Sequence, residues 1–258
     1  MIIYLISLED DLKRRSELAK RFPEAYPKMH WIKAINGKKI SALDYFNFTS
    51  KFCKKYQRVL TPSEVGCSLS HINALKNFLE TGEEYALILE DDIIGSDETI
   101  DKLEYFFKQY KFEGVCICSS QDMHGKQKYI LAKPINNSSV YCISTFSIEF
   151  FYQTSAYLIS REAAKLIISK QENFMHYADA WSFFMESSNL YFLYTKQFEH
   201  PVDVALDSNI ESERSVFRLD ENFFKRILEQ GIFWKVYNRI RNDTVAFFLM
   251  LLGFKKIK

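Results

Sequence analysis

The chain has 258 residues, 47% of them hydrophobic and 26% charged, with a formal net charge of +1. That composition supports one large core with an appendage, and it excludes a disordered chain and a strongly basic nucleic-acid binder. The five cysteines (Cys53, Cys67, Cys116, Cys118 and Cys142) are odd in number and form no C-x-x-C pair, which argues against a disulfide framework or a zinc site and for a reducing, cytoplasmic setting.

In chain order, residues 2–7 read as a first strand. They have no basic lead and are too short for a secretory signal. A helix is expected over 11–22 and a strand over 30–35, closed by the turn Asn36-Gly37. Residues 41–60 read as loop with a short helix. Thr61-Pro62-Ser63-Glu64 then announces a helix: Thr61 as N-cap, Pro62 as first helical residue, Glu64 completing a capping box. Gly82 stops it, and a strand follows over 85–90. A helix over 97–110, a strand over 115–118 and an antiparallel excursion (129–131 with 140–143) come next. A strand over 151–159, a helix over 161–169 capped by Ser160, a helix over 177–186 and a strand over 190–194 complete the series. Alternating strands and helices in the first half predict a parallel α/β core, and the mixed second half predicts α+β decoration.

The segment with the most chemistry is Leu87-Ile88-Leu89-Glu90-Asp91-Asp92. An apolar run ending in three acids reads as a buried strand with an acidic tip. Alternation along an extended chain points Glu90 and Asp92 one way and Asp91 the other. Two hard oxygen ligands at a strand end suit Mg²⁺ or Mn²⁺, which share their coordination with substrate phosphates. A solvated acidic turn is the competing reading.

Four segments together resemble glycosyltransferase family 25, the group that includes bacterial lipooligosaccharide galactosyltransferases. They are the strand-turn start, the helix Glu64-Val65-Gly66-Cys67-Ser68-Leu69-Ser70-His71, the acidic strand, and Tyr157-Leu158-Ile159-Ser160-Arg161-Glu162-Ala163-Ala164. The resemblance implies a GT-A-like, Rossmann-like domain with a mixed sheet over 1–221. It also implies a nucleotide-sugar donor, commonly UDP-galactose, a divalent metal, and inverting transfer to a saccharide acceptor of the lipooligosaccharide or lipopolysaccharide core. Where relatives often show N-L-D-R, this chain has Ser7-Leu8-Glu9-Asp10 but keeps Arg14 and Arg15.

On this reading Glu90, Asp92 and His200 are the candidate metal ligands. Ser7, Arg14, Arg15, Gly66, Ser70, His71 and Asp91 are candidate donor contacts, with Arg chosen for its planar bidentate fork. Asp91 has an alternative partner in the neighbouring helix. Inversion requires a carboxylate to deprotonate the acceptor hydroxyl, for which Asp179 is nominated, with Asp122 and Glu149 as alternates. Trp181 and Tyr177 are candidate sugar platforms, and Asp207-Ser208-Asn209-Ile210 a candidate closing loop. Bland readings stand beside these: a core histidine, a solvated basic helix face, core aromatics. A metal-dependent phosphohydrolase and a non-catalytic saccharide-binding scaffold are the rival functions.

Residues 222–258 differ in character, with eight basic residues against Glu229 and Asp243, a net of +6. Aromatic and aliphatic residues interleave with the basic ones, which predicts an amphipathic helix in contact with an anionic membrane. Packing on the domain or on a second copy is the alternative. The apolar part of this tail is too short to span a bilayer. The expected location is therefore cytoplasmic, peripheral on the inner face of the cell membrane, with a lipid-linked acceptor.

Overall fold

The structure is a computed structural model that describes residues 1–120, 127–136, 138–200, 213 and 232–257. Its opening unit is β1 (Ile2–Ser7), α1 (Leu12–Arg21) and β2 (His30–Lys33), after which come α2 (Ala42–Tyr56), α3 (Pro62–Leu79) and β3 (Tyr85–Glu90). α4 (Asp97–Gln109) and β4 (Gly114–Ser119) lead to the hairpin-like pair β5 (Leu131–Pro134) and β6 (Tyr141–Ile143). The chain continues through β7 (Ala156–Ser160), α5 (Arg161–Asn173), α6 (Trp181–Met185) and β8 (Tyr191–Phe198), and the described part closes with α7 (Ile232–Leu251) and β9 (Lys255–Lys256).

The nine strands of the described residues join one sheet in the order β2-β1-β3-β7-β4-β8-β6-β5-β9. β1 runs parallel to both β2 and β3, whereas β7 is antiparallel to its neighbours β3 and β4. The α/β class and the mixed, GT-A-like sheet expected from the sequence are what the chain forms. Alternation along β1 and β3 divides the core in two. Ile3, Leu5, Leu87 and Leu89 pack with Leu18, Phe22, Leu103 and Phe107, on the α1 and α4 side. Tyr4, Ile6 and Ile88 pack with Leu75, Phe78, Ala164, Ile167 and Trp181, on the α3 and α5 side. A strand buried on both faces needs such a continuous apolar run.

The capping box forms as predicted: Thr61 Oγ1 accepts from the Glu64 backbone N–H, and the Glu64 carboxylate accepts from the Thr61 N–H. Ser160 likewise caps α5, accepting from Ala163 N–H. Three sequence expectations need correction. Residues 42–56 form a full helix rather than loop, because Tyr45, Phe48 and Phe52 recur on one face and cover Leu60 and Val65 of the α3 entry. The strand expected over 151–159 begins only at Ala156, after a 3₁₀ turn over Thr145–Phe150 and a positive φ of 71° at Gln153. The helix expected over 177–186 is the single turn-and-a-half of α6.

Candidate active site

The site is assembled by strand register. Ile6 of β1 pairs with Glu90 of β3, so the next residues, Ser7 and Asp91, lie side by side where the two strands end. Because β2 and β3 flank β1, chain order reverses there, and in open α/β sheets ligands enter the crevice at the carboxyl ends of such strands. On the other side of β3 the Glu90 N–H donates to Ser155 C=O at 2.8 Å, which brings Gln153 and Thr154 to the acids. An antiparallel bridge between Ile94 and Glu199 delivers His200.

Asp91 points to the α1 side. Its Oδ2 accepts from Ser7 Oγ at 2.5 Å and its Oδ1 from Arg14 at 3.2 Å. Burial raises the carboxyl to about 6, against the opposing pull of the Ser7 hydrogen bond and the Arg14 charge. Burial also works against the Arg14 charge, yet Asp91 and Asp92 outweigh it and hold the guanidinium above its ordinary value. Of the two partners foreseen for Asp91, the structure shows the neighbouring helix.

Glu90 points to the opposite, α3 side. Thr154 Oγ1 donates to its Oε1 at 2.6 Å, and His71 Nε2 stands 3.3 Å from the same oxygen, at ion-pair distance but without hydrogen-bond alignment. Burial pushes the Glu90 carboxyl up, but the facing His71, the Thr154 hydroxyl and the more distant His200 together bring it below its ordinary value. His71 is itself buried, its Nδ1 3.0 Å from Tyr157 Oη. A line of polar contacts thus runs from Tyr157 through His71 to Glu90 and Thr154.

Asp92 does not follow the expected alternation. The strand ends at Glu90, so Asp92 sits in a turn and shares Arg14 with Asp91, its Oδ2 being 3.4 Å from that guanidinium. The same oxygen is 3.4 Å from His200 Nε2. Its Oδ1 is buried with no hydrogen-bond partner. A buried carboxylate oxygen without a partner is costly unless a cation or ligand completes it. Asp92 and His200 therefore fit a divalent ion in donor type, whereas Glu90 is turned toward His71 and Cys67.

Other sequence candidates turn out to be braces rather than free contacts. Arg15 is buried, donating to Ser7 Oγ at 2.9 Å, to Leu8 C=O, and to Glu9 C=O at 2.7 Å, with its guanidinium 4.5 Å over the Trp31 ring. A fork engaged in this way braces the first loop. Ser70 is buried, donating to Gly66 C=O at 2.6 Å and accepting from Ile35 N–H at 2.8 Å. A Cβ at Gly66 would lie 2.5 Å from Ile35 O and 2.6 Å from Gly37 N, so the close approach there is by backbone and not by donor. Trp181 is 1% exposed, with its indole N–H on Gln153 C=O at 3.1 Å, and has no open face for a sugar.

Asp179 is half-buried and its Oδ2 accepts from Gln153 N–H at 3.1 Å, one residue from the Thr154 that holds Glu90. Tyr177 is half-buried against Phe52, with ring centroids 5.3 Å apart. Glu149 is exposed and pairs with Arg241 of α7 at 3.4 Å. Asp122 and the stretch Asp207, Ser208, Asn209 and Ile210 lie outside the described residues. Thr154, Tyr157 and Cys67 were missed by sequence reasoning. Only Cys67 left a signal, lying four residues before His71 and so on the same helix face. Its sulfur, a His71 nitrogen and a Glu90 oxygen all fall within 4.8 Å of one another.

A mixed sheet that opens with a β-α-β unit and gathers acids, an arginine and histidines at its switch crevice has the GT-A-like, Rossmann-type architecture. The sequence profile of Glycosyltransferase family 25 (LPS biosynthesis protein) matches residues 1–182, and the chain belongs to that family. A Glycosyltransferase 25 family member of Anopheles gambiae is 26% identical over 178 residues, 66% of this chain and 28% of that protein. Procollagen galactosyltransferase 1 of Danio rerio is 26% identical over 176 residues, covering 64% of this chain and 28% of its own length. The chain thus spans little more than a quarter of these curated relatives. An apo UDP-glucose pyrophosphorylase structure superposes with a TM-score of 0.43 at 12% identity, over 85% of this chain and 99% of that one.

Proposed function

We propose that this protein transfers galactose from UDP-galactose, with inversion, to a hydroxyl of a lipid-linked core saccharide. The acceptor is held at the cytoplasmic face of a membrane. Family membership supports glycosyl transfer. The galactose assignment is supported by the galactosyltransferase names among the relatives. The observation that carries the site assignment is the unsatisfied buried Asp92 Oδ1, whose companion oxygen Oδ2 stands 3.4 Å from His200 Nε2, beside the Arg14–Asp91 contact.

In this reading Arg14 binds a diphosphate oxygen, exchanging part of its contact with Asp91 and Asp92 for the ligand. Ser7 and Arg15 hold the first loop and the Asp91 carboxylate in place. Asp92 and His200, with Glu90 as the third candidate ligand, would hold a divalent cation of the Mn²⁺ or Mg²⁺ type, which would offset the charge of the departing diphosphate. Asp179 takes the proton from the acceptor hydroxyl as the new bond to the anomeric carbon forms and the bond to the β-phosphate oxygen breaks, releasing UDP. His71 and Thr154 orient Glu90 through its Oε1.

The test is a panel of nucleotide sugars with Mn²⁺ and a core oligosaccharide, scored by nucleotide release and product mass. A product heavier by one hexose, formed from UDP-galactose in preference to other donors, is the expected result. No nucleotide release from any donor would overturn the reading.

A further inference from the structure

Helix α7 carries two apolar faces, and only one is covered by described residues. Its inner face, with Ala246 and Leu249, rests on the body of the protein, where Asp243 also accepts from Tyr129 Oη at 2.9 Å. The opposite face presents Tyr237, Ile240, Phe247, Phe248 and Leu251, each between 55% and 67% exposed. At the amino end Trp234 stacks on Tyr237 with centroids 5.5 Å apart, and Trp234 too is exposed.

The charge on and beside this helix is predominantly basic, with Asp243 and Glu149, the partner of Arg241, as its described acids. Residues 232–257 hold Lys235, Arg239, Arg241, Lys255 and Lys256 against the single Asp243, whose carboxylate also pairs with Lys128 and Arg239. β9 pairs with β5 and thereby fixes Lys255 and Lys256, both exposed, just beyond the helix. No helix among the described residues is long and apolar enough to cross a membrane.

We propose that the outer face of α7 lies flat in the headgroup layer of an anionic bilayer, its aromatic and aliphatic residues inserted and its basic residues on lipid phosphates. An exposed apolar stripe with Arg241 beside it, Lys255 and Lys256 beyond one end and Trp and Tyr at the other has the chemistry of an interfacial helix. A second copy of the chain fits less well, because a two-fold contact through this face would bring the same basic side chains together. The proposal deepens the membrane part of the transfer reading by naming the surface, and vesicle binding without donor tests it separately from catalysis.

The full chain should cosediment with vesicles of phosphatidylcholine mixed with phosphatidylglycerol, not with phosphatidylcholine alone, and rising salt should weaken the binding. The triple variant Ile240→Ser, Phe247→Ser, Leu251→Ser should lose roughly a hundred-fold in partitioning, and Lys255→Glu with Lys256→Glu about ten-fold. Both should keep the thermal midpoint, since all five side chains are exposed. Equal binding to the two vesicle types, no binding, or full binding by both variants would overturn the proposal. So would a dimer in solution that the triple variant abolishes.

Discussion

The sheet edge at Ser7, Glu90 and Asp91 and the helix α7 are opposites in how they handle water. At the edge, charged and polar groups are withdrawn from solvent and almost every one has a named partner: Ser7 and Arg14 on Asp91, Thr154 and His71 on Glu90. Along α7, large apolar side chains face outward with nothing described upon them. Polar groups inside must be satisfied because desolvation is expensive, and of the five described side-chain atoms left without a partner Asp92 Oδ1 is the carboxylate oxygen, which is why it points to a ligand. Apolar groups outside cost the isolated chain little, so their concentration on one face is informative only together with the basic charge beside it.

The contrast can be broken at either end, and the edge should give the larger effects. Asp92→Asn keeps the shape but removes the charge, and should lower UDP release by about a hundred-fold or more with little change in thermal midpoint. Near-normal turnover in that variant would remove Asp92 from the site. Arg15→Met should destabilise by about 3 kcal/mol, because it leaves the Leu8 and Glu9 carbonyls without the fork that satisfies them. Urea denaturation measures this, and a loss below about 1 kcal/mol would mean that water replaces the fork.

Gly66→Ala should cost about 2 kcal/mol by driving a methyl into the backbone of Ile35 and Gly37, with the same measurement as the check. His176 provides a pH test between the two regions. Burial first, then Lys55 and Arg58, lower it to about 4, in an aromatic surround that includes Phe183 stacked at 5.1 Å. The unfolded chain takes up this proton near pH 6.5 and the folded one only near 4. Stability should therefore fall as pH drops through that window, by about 1–2 kcal/mol once partial exposure is allowed for. The slope should flatten in His176→Gln. Smallest of all, Ile240→Ser should change folding stability by no more than about 0.5 kcal/mol, because that side chain is 61% exposed. A larger loss in calorimetry would mean that the outer face of α7 is covered in the free protein.

Much of the fold was legible because its signals are local. The capping box at Thr61 and Glu64, the stop after β3 and the Ser160 cap each depend on residues within one turn of one another. The helix Ala42–Tyr56 was missed although its apolar spacing was present, because a run of lysines and polar residues masked the period. Residues 177–180 carry helical patterning but form a turn, with Ala180 N–H on Tyr177 C=O and the Asp179 carboxylate drawn into a bond with the Gln153 N–H. That is a tertiary contact overriding a local preference.

By itself the sequence determined that this is an α/β chain with an acidic strand end, an arginine-bearing first helix and a basic apolar tail, since each of these is written in neighbouring residues. Which acid meets which cation was decided by tertiary structure alone. Ser7 and Asp91 are 84 positions apart, and His200 arrives by a bridge between Ile94 and Glu199. Strand order and register set those meetings. They also divided the two arginines: Arg14 lies against the acids, while Arg15, one residue on, is spent on the carbonyls of the loop. Side-chain direction in a helix turns by about 100° per residue, so adjacent and chemically identical groups take different roles once the helix is laid on its sheet.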